Sequence, residues 1–64
     1  MGRTFTIDGT DYRVINAYDA YDLIYRKMEK VFAVDDINLT VYELEQSIDV
    51  DDAINSDYYL AIKH

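Results

Sequence analysis

The sequence predicts an α+β fold of order ββααβ, with helices covering one face of a three-stranded antiparallel sheet. Three observations carry this. An Asp-Gly pair separates two alternating apolar stretches near the N-terminus. A long stretch after it repeats its apolar residues at helical spacing. The C-terminal stretch alternates again.

The first element spans Arg3 to Asn16. Phe5 and Ile7 alternate with threonines, Tyr12 and Val14 alternate with Arg13, and Asp8-Gly9 lies between them. Asp-Gly is a strong hairpin signal because both central residues of a tight turn need positive φ. A two-residue loop pairs Ile7 with Thr10, and a four-residue loop pairs Ile7 with Tyr12. Both put Phe5, Ile7, Tyr12 and Val14 on one face, because side chains alternate with period two.

Residues 17–33 read as an amphipathic helix. On a helical wheel, Ala17, Tyr18, Ala20, Tyr21, Ile24, Tyr25, Met28, Val31 and Phe32 fall within an arc of about 160°. Asn16 suits the N-cap, Asp19 suits the positive end of the helix dipole, and Asp22 stands four residues before Arg26. Residues 34–39 connect to a second helix, from Val41 to about Ile48. Its signature is a capping box, Thr40 with Glu43, flanked by a Leu39–Leu44 hydrophobic staple. Residues 51–55 form a further short turn, and Asn55-Ser56-Asp57 breaks the chain again. Tyr58 to Lys63 closes the sequence as a strand beside the hairpin, since three strands are stable where two are marginal. No repeat, linker or low-complexity segment is apparent, and the 64 residues form a single domain, 1–64.

Charge is distributed unevenly. Residues 1–34 carry five acids and five bases. Residues 35–62 carry eight acids, Asp35, Asp36, Glu43, Glu45, Asp49, Asp51, Asp52 and Asp57, and no base. The net charge is −7. Such a surface keeps a small protein soluble, and it also suits a basic partner.

Several chemistries are excluded or disfavoured. The chain has no Cys, which removes disulfides and thiolate metal sites. The one His, His64, is the last residue, where a general base is poorly held, so no enzyme is expected and no catalytic residue or cofactor is assigned. Asp49 and Asp51 have the spacing that opens a calcium loop, but positions 53 and 54 are Ala and Ile. At most weak cation binding at Asp49, Asp51 and Asp52 remains, and no metal site is assigned. Direct nucleic-acid binding is opposed by the charge. No apolar run reaches the ~18 residues of a membrane span.

Seven tyrosines stand out in so short a chain. Tyr12, Tyr21 and Tyr58 are expected in the core. Tyr42 and Tyr59 point away from their apolar stripes, where tyrosine supplies contact area at low entropic cost. The expected partner-binding set is therefore Asp35, Asp36, Tyr42, Glu43, Glu45, Asp49, Asp51, Asp52, Asp57 and Tyr59.

In size, acidity and tyrosine content the chain resembles the small acidic anti-defence proteins of phages and mobile elements, which include anti-CRISPR proteins and uracil-DNA glycosylase inhibitors. The resemblance implies a non-enzymatic, DNA-mimicking protein–protein inhibitor in the cytoplasm of a bacterial host. It implies a basic nucleic-acid-binding partner such as a Cas9-type nuclease or a DNA-repair enzyme. The alternative is a small homo-oligomeric structural or regulatory module. A homodimer would form through the edge of the last strand, where Tyr58 to Ile62 carries no charge to guard it.

Overall fold

The computed structural model describes residues 3–64. Strands β1 (Thr4–Ile7) and β2 (Thr10–Val14) form the expected hairpin, with Ile7 opposite Thr10 and Phe5 opposite Tyr12. Asp8 (φ 52°) and Gly9 (φ 81°) both adopt the left-handed region that a two-residue hairpin loop demands, which selects the shorter of the two loops.

Helix α1 spans Ala17–Tyr25. Asn16 caps it, its Oδ1 accepting the Asp19 N–H at 2.8 Å, and Asp22 pairs with Arg26 at 3.3 Å. The helix stops eight residues short of its predicted end. Residues 26–30 are all exposed, so nothing apolar holds another turn, and Met28 turns the chain at φ 51°. Strand β3 (Val31–Asp35) follows, and every one of its residues is buried. A helix cannot bury five consecutive residues on a small domain, whereas an interior strand covered on both faces can. Val31 and Phe32 fell on the helical arc only because the continuous apolar run Val31–Val34 satisfies any period, and Met28, which lay on the same arc, is exposed.

The predicted helix from Val41 to Ile48 is replaced by strand β4 (Thr40–Leu44), which forms a hairpin with β3. Thr-Val-Tyr favours a strand through β-branching and aromaticity. The Thr40 hydroxyl donates to the Asn38 carbonyl at 3.3 Å instead of capping a helix. Helix α2 spans Ser47–Asn55, starting later than predicted and absorbing the short turn expected at residues 51–55. Asp49 Oδ2 accepts the N–H groups of Glu45 and Gln46, each at 3.0 Å. The α2 C-terminus closes as a Schellman motif. The Tyr58 N–H donates to the Ala53 carbonyl at 3.0 Å, the Asp57 N–H donates to Ile54 at 3.1 Å, and Asp57 lies at φ 60°.

Strand β5 (Tyr59–Lys63) pairs with β2 as expected, but it also pairs with β3. The three-stranded ββααβ expectation is therefore wrong. The sheet has five antiparallel strands in the order β1-β2-β5-β3-β4, curled into a half-barrel, and the chain order is ββαββαβ. The last strand is interior, so it offers no free edge for a second copy. The free edges belong to β1 and β4.

Both helices pack on one face, over β3, β4 and β5. Ala20, Val31, Ala33, Leu44, Val50, Ala53 and Leu60 fill that layer. On the other face Ile7, Tyr12, Phe32, Val34 and Ala61 form a second cluster. There Ile7 of β1 and Val41 of β4 line one hollow, so the sheet curls toward this side.

The elements also disclose a repeat. Strand β2 and helix α1 recur thirty positions later as β4 and α2, Thr10 matching Thr40 and Ala17 matching Ser47. Thr10/Thr40, Tyr12/Tyr42, Asp19/Asp49, Asp22/Asp52 and Ile24/Ile54 are identical pairs, five among sixteen aligned positions. The N-caps Asn16 and Gln46 correspond, as do the fully buried Ala20 and Val50.

Candidate functional site

A cleft of about 370 Å³ opens between β4 and α2. Ala33 and Leu44 line it from the sheet, and Ala53 and Ser56 from the helix. Tyr42 and Tyr58 stack in its wall with ring centroids 5.5 Å apart and planes within 16°. Tyr42 remains 45% exposed, so the stack presents an open ring. The acidic residues Glu43, Glu45, Asp49 and Asp52 complete the lining, though Glu43 stands opposite Phe32 of β3, so strand alternation turns its side chain to the other face from Tyr42.

Five of the ten residues expected at a partner surface thus meet in one place: Tyr42, Glu43, Glu45, Asp49 and Asp52. Their charge is barely compensated. Glu43 pairs with Lys30 at 3.1 Å, both side chains being well exposed. Among the described residues, no cation lies within ion-pair distance of Glu45, Asp49 or Asp52. Asp49 also has structural work as the acceptor at the start of α2.

The other five lie elsewhere. Asp35 is buried, its carboxylate accepting the N–H groups of Ile37 (3.0 Å) and Asn38 (3.2 Å) and the Asn38 Nδ2 (2.9 Å). The Asn38 side chain, with the two backbone N–H groups, holds the Asp35 carboxyl below the usual aspartate value despite burial. Asp36 is half-buried in the turn that follows. Asp51 accepts a hydrogen bond from the Tyr21 hydroxyl of α1, and that bond raises the Tyr21 phenol above its ordinary value. Asp57 terminates α2. Tyr59 lies on the opposite face of the sheet, packed on Phe5 at 5.1 Å, with its hydroxyl accepting from Arg3 at 3.0 Å. The Arg3 guanidinium covers both rings, 4.8 Å from Phe5 and 5.0 Å from Tyr59.

Tyr58 is the residue that sequence reasoning placed only in the core. The Tyr42 hydroxyl beside it, burial and the charge of Asp35 push its phenol above the ordinary value. The adjacency of Tyr42 and Tyr58 depends on β5 lying next to β3, a pairing with no short-range sequence signal.

Among the described residues, no group of three or more His, Asp or Glu is arranged to hold a metal ion. Among them too, no helix is long and apolar enough to cross a membrane. No protein-family profile matches the chain, and no curated protein or solved structure matches it either.

Proposed function

We propose that this chain is a non-enzymatic binding protein that offers the acidic β4–α2 cleft to a basic, nucleic-acid-binding surface of another protein and so competes with nucleic acid for it. The observation that carries this reading is the convergence of Glu45, Asp49 and Asp52 on the cleft walled by the exposed Tyr42 ring, with no cation among the described residues within ion-pair distance of the three. A surface shaped to take phosphates accepts carboxylates on a rigid scaffold, and like charges around the rim steer the encounter. Aromatic residues within such a patch supply the apolar anchor that binding needs. The partner class that fits is a nuclease or repair enzyme of a bacterial cytoplasm, a CRISPR effector among them.

The test is capture from nuclease-treated bacterial lysate, with washes spanning about 50 to 200 mM salt. The expected result is a nucleic-acid-binding protein that salt releases and duplex DNA displaces. The variant Glu43→Gln, Glu45→Gln, Asp52→Asn should lose it while staying folded, with a melting temperature no lower than that of the native chain. Asp49 and Asp51 are left intact because both make hydrogen bonds that hold the fold. Recovery of the bait alone, or equal capture by the variant, would overturn the reading.

A further inference from the structure

We infer that the free edge of β4 takes an extended basic segment of the partner as a sixth strand, whose cationic side chains enter the cleft beside α2. This rests on the reading above and names the form its partner takes.

The edge itself is the first observation. β4 pairs with β3 on one side only, and the sheet ends there. Among the described residues, no other backbone group bonds to its outer side. Proteins blunt exposed edges with lysine, proline or a bulge. Thr40–Leu44 contains neither lysine nor proline, its one charged residue, Glu43, repels acidic strands but not basic ones, and its pairing with β3 runs without a break through five residues. The second edge strand, β1, has no helix beside it to form a walled cleft.

The register then says what the added strand carries. Alternate side chains of a sixth strand would share the face of Tyr42 and Leu44, which is the face of the cleft. Those side chains meet Glu45, Asp49 and Asp52. The internal repeat marks which partner is missing. In α1, Asp22 is answered four residues later by Arg26. In α2, the equivalent Asp52 is followed four residues later by Ser56, which also lines the cleft. The cation that α1 supplies for itself is thus left for a ligand at α2. The open face of Tyr42 suits a guanidinium, which stacks on aromatic rings. A second copy is the wrong occupant, because β4 paired with β4 would bring Glu43 and Glu45 of both copies into one strip.

The probe is a capped seven-residue peptide alternating arginine with valine, titrated into the protein and followed by amide NMR and hydrogen exchange. The expected result is binding that weakens with salt, with shifts and added protection concentrated on the amides of Thr40–Leu44. Methylating the backbone nitrogens of one alternate set should weaken binding at least about tenfold, since each methyl removes a hydrogen bond to β4. Methylating the other set should do little. The double change Glu45→Gln, Asp52→Asn should weaken binding by a similar factor. Binding that leaves the β4 amides unmoved, or equal loss from both methylated sets, would overturn strand addition. So would absence of peptide binding. If lysate capture still succeeds in those cases, the acidic-surface reading stands without the sixth strand. If capture also fails, both fall. A concentration-dependent doubling of mass that occupies the same amides would assign the edge to a second copy instead.

Discussion

At the scale of single residues, the acids divide by the hydrogen bonds they accept. Asp35 holds a turn, Asp49 starts a helix, Asp51 ties two helices together, and the Glu45 and Asp52 carboxylates bond to no other group among the described residues. Asp35 keeps its charge to lower pH in the folded state than in the unfolded chain. Its contribution is therefore complete above the unfolded value near 3.8 and disappears as pH falls through the lower folded value. Urea midpoints measured from about pH 5 down to pH 2 should fall for the native sequence, and the slope should be shallower for Asp35→Asn. Asp57 sits at positive φ at a helix C-terminus, where glycine has no steric cost and a negative charge opposes the dipole. Asp57→Gly should raise stability by about 0.5–1 kcal/mol, read as a higher denaturant midpoint. None of these differences was legible in the sequence, where the eight acids look alike.

At the scale of elements, the sequence was most readable where chemistry is local. The Asp8-Gly9 hairpin, the Asn16 cap and the closing strand follow from neighbouring residues. The two misplaced helices arose where local signals were compatible with both states. Thr-x-x-Glu is a capping pattern, but Thr40 and Glu43 also suit a strand whose edge faces water. Val31 to Val34 satisfies helical spacing, but complete burial on both faces needs a sheet on either side, which only tertiary pairing supplies. The corrected starts of α2 and β4 make a direct comparison. Asp49→Ala should cost about 1 kcal/mol, the value of a lost cap, whereas Thr40→Ala should leave the denaturant midpoint close to native. The reverse ranking would put the helix at residues 41–48 after all. Between the helices, the Tyr21 hydroxyl reaches Asp51 and the Tyr25 hydroxyl meets Ser47 at 3.0 Å, each pair one turn from the other. Tyr21→Phe should lower the melting temperature. In the native chain this bond should contribute fully below the ordinary tyrosine value near 10 and fade as pH rises through the higher folded value.

For the molecule as a whole, a charge of −7 on 64 residues works against the compact state. Raising salt from about 10 mM to about 0.15 M shortens the screening length from roughly 30 to 8 Å and should increase thermal stability. The triple variant Glu43→Gln, Glu45→Gln, Asp52→Asn should gain less from the same salt, because part of its repulsion is already gone. Half of the candidate site could be foreseen from charge and tyrosine alone, since Glu43, Glu45, Asp49 and Asp52 lie close in sequence and their cleft is built by one hairpin and the helix that follows it. Its second ring, Tyr58, came from the far end of the chain.

That far end has a consequence for how the protein is made. Strand β5 fills the slot between β2 and β3, and it is synthesised after both of them. While these residues remain inside the ribosome, the emerging chain holds two hairpins whose facing rims have nothing between them. The sheet can close only once residues 59–63 have emerged, in a single late step. A nascent chain stalled a few residues early should therefore remain sensitive to protease along its whole length, and one extended by a flexible tail long enough to free residue 63 should become resistant at once.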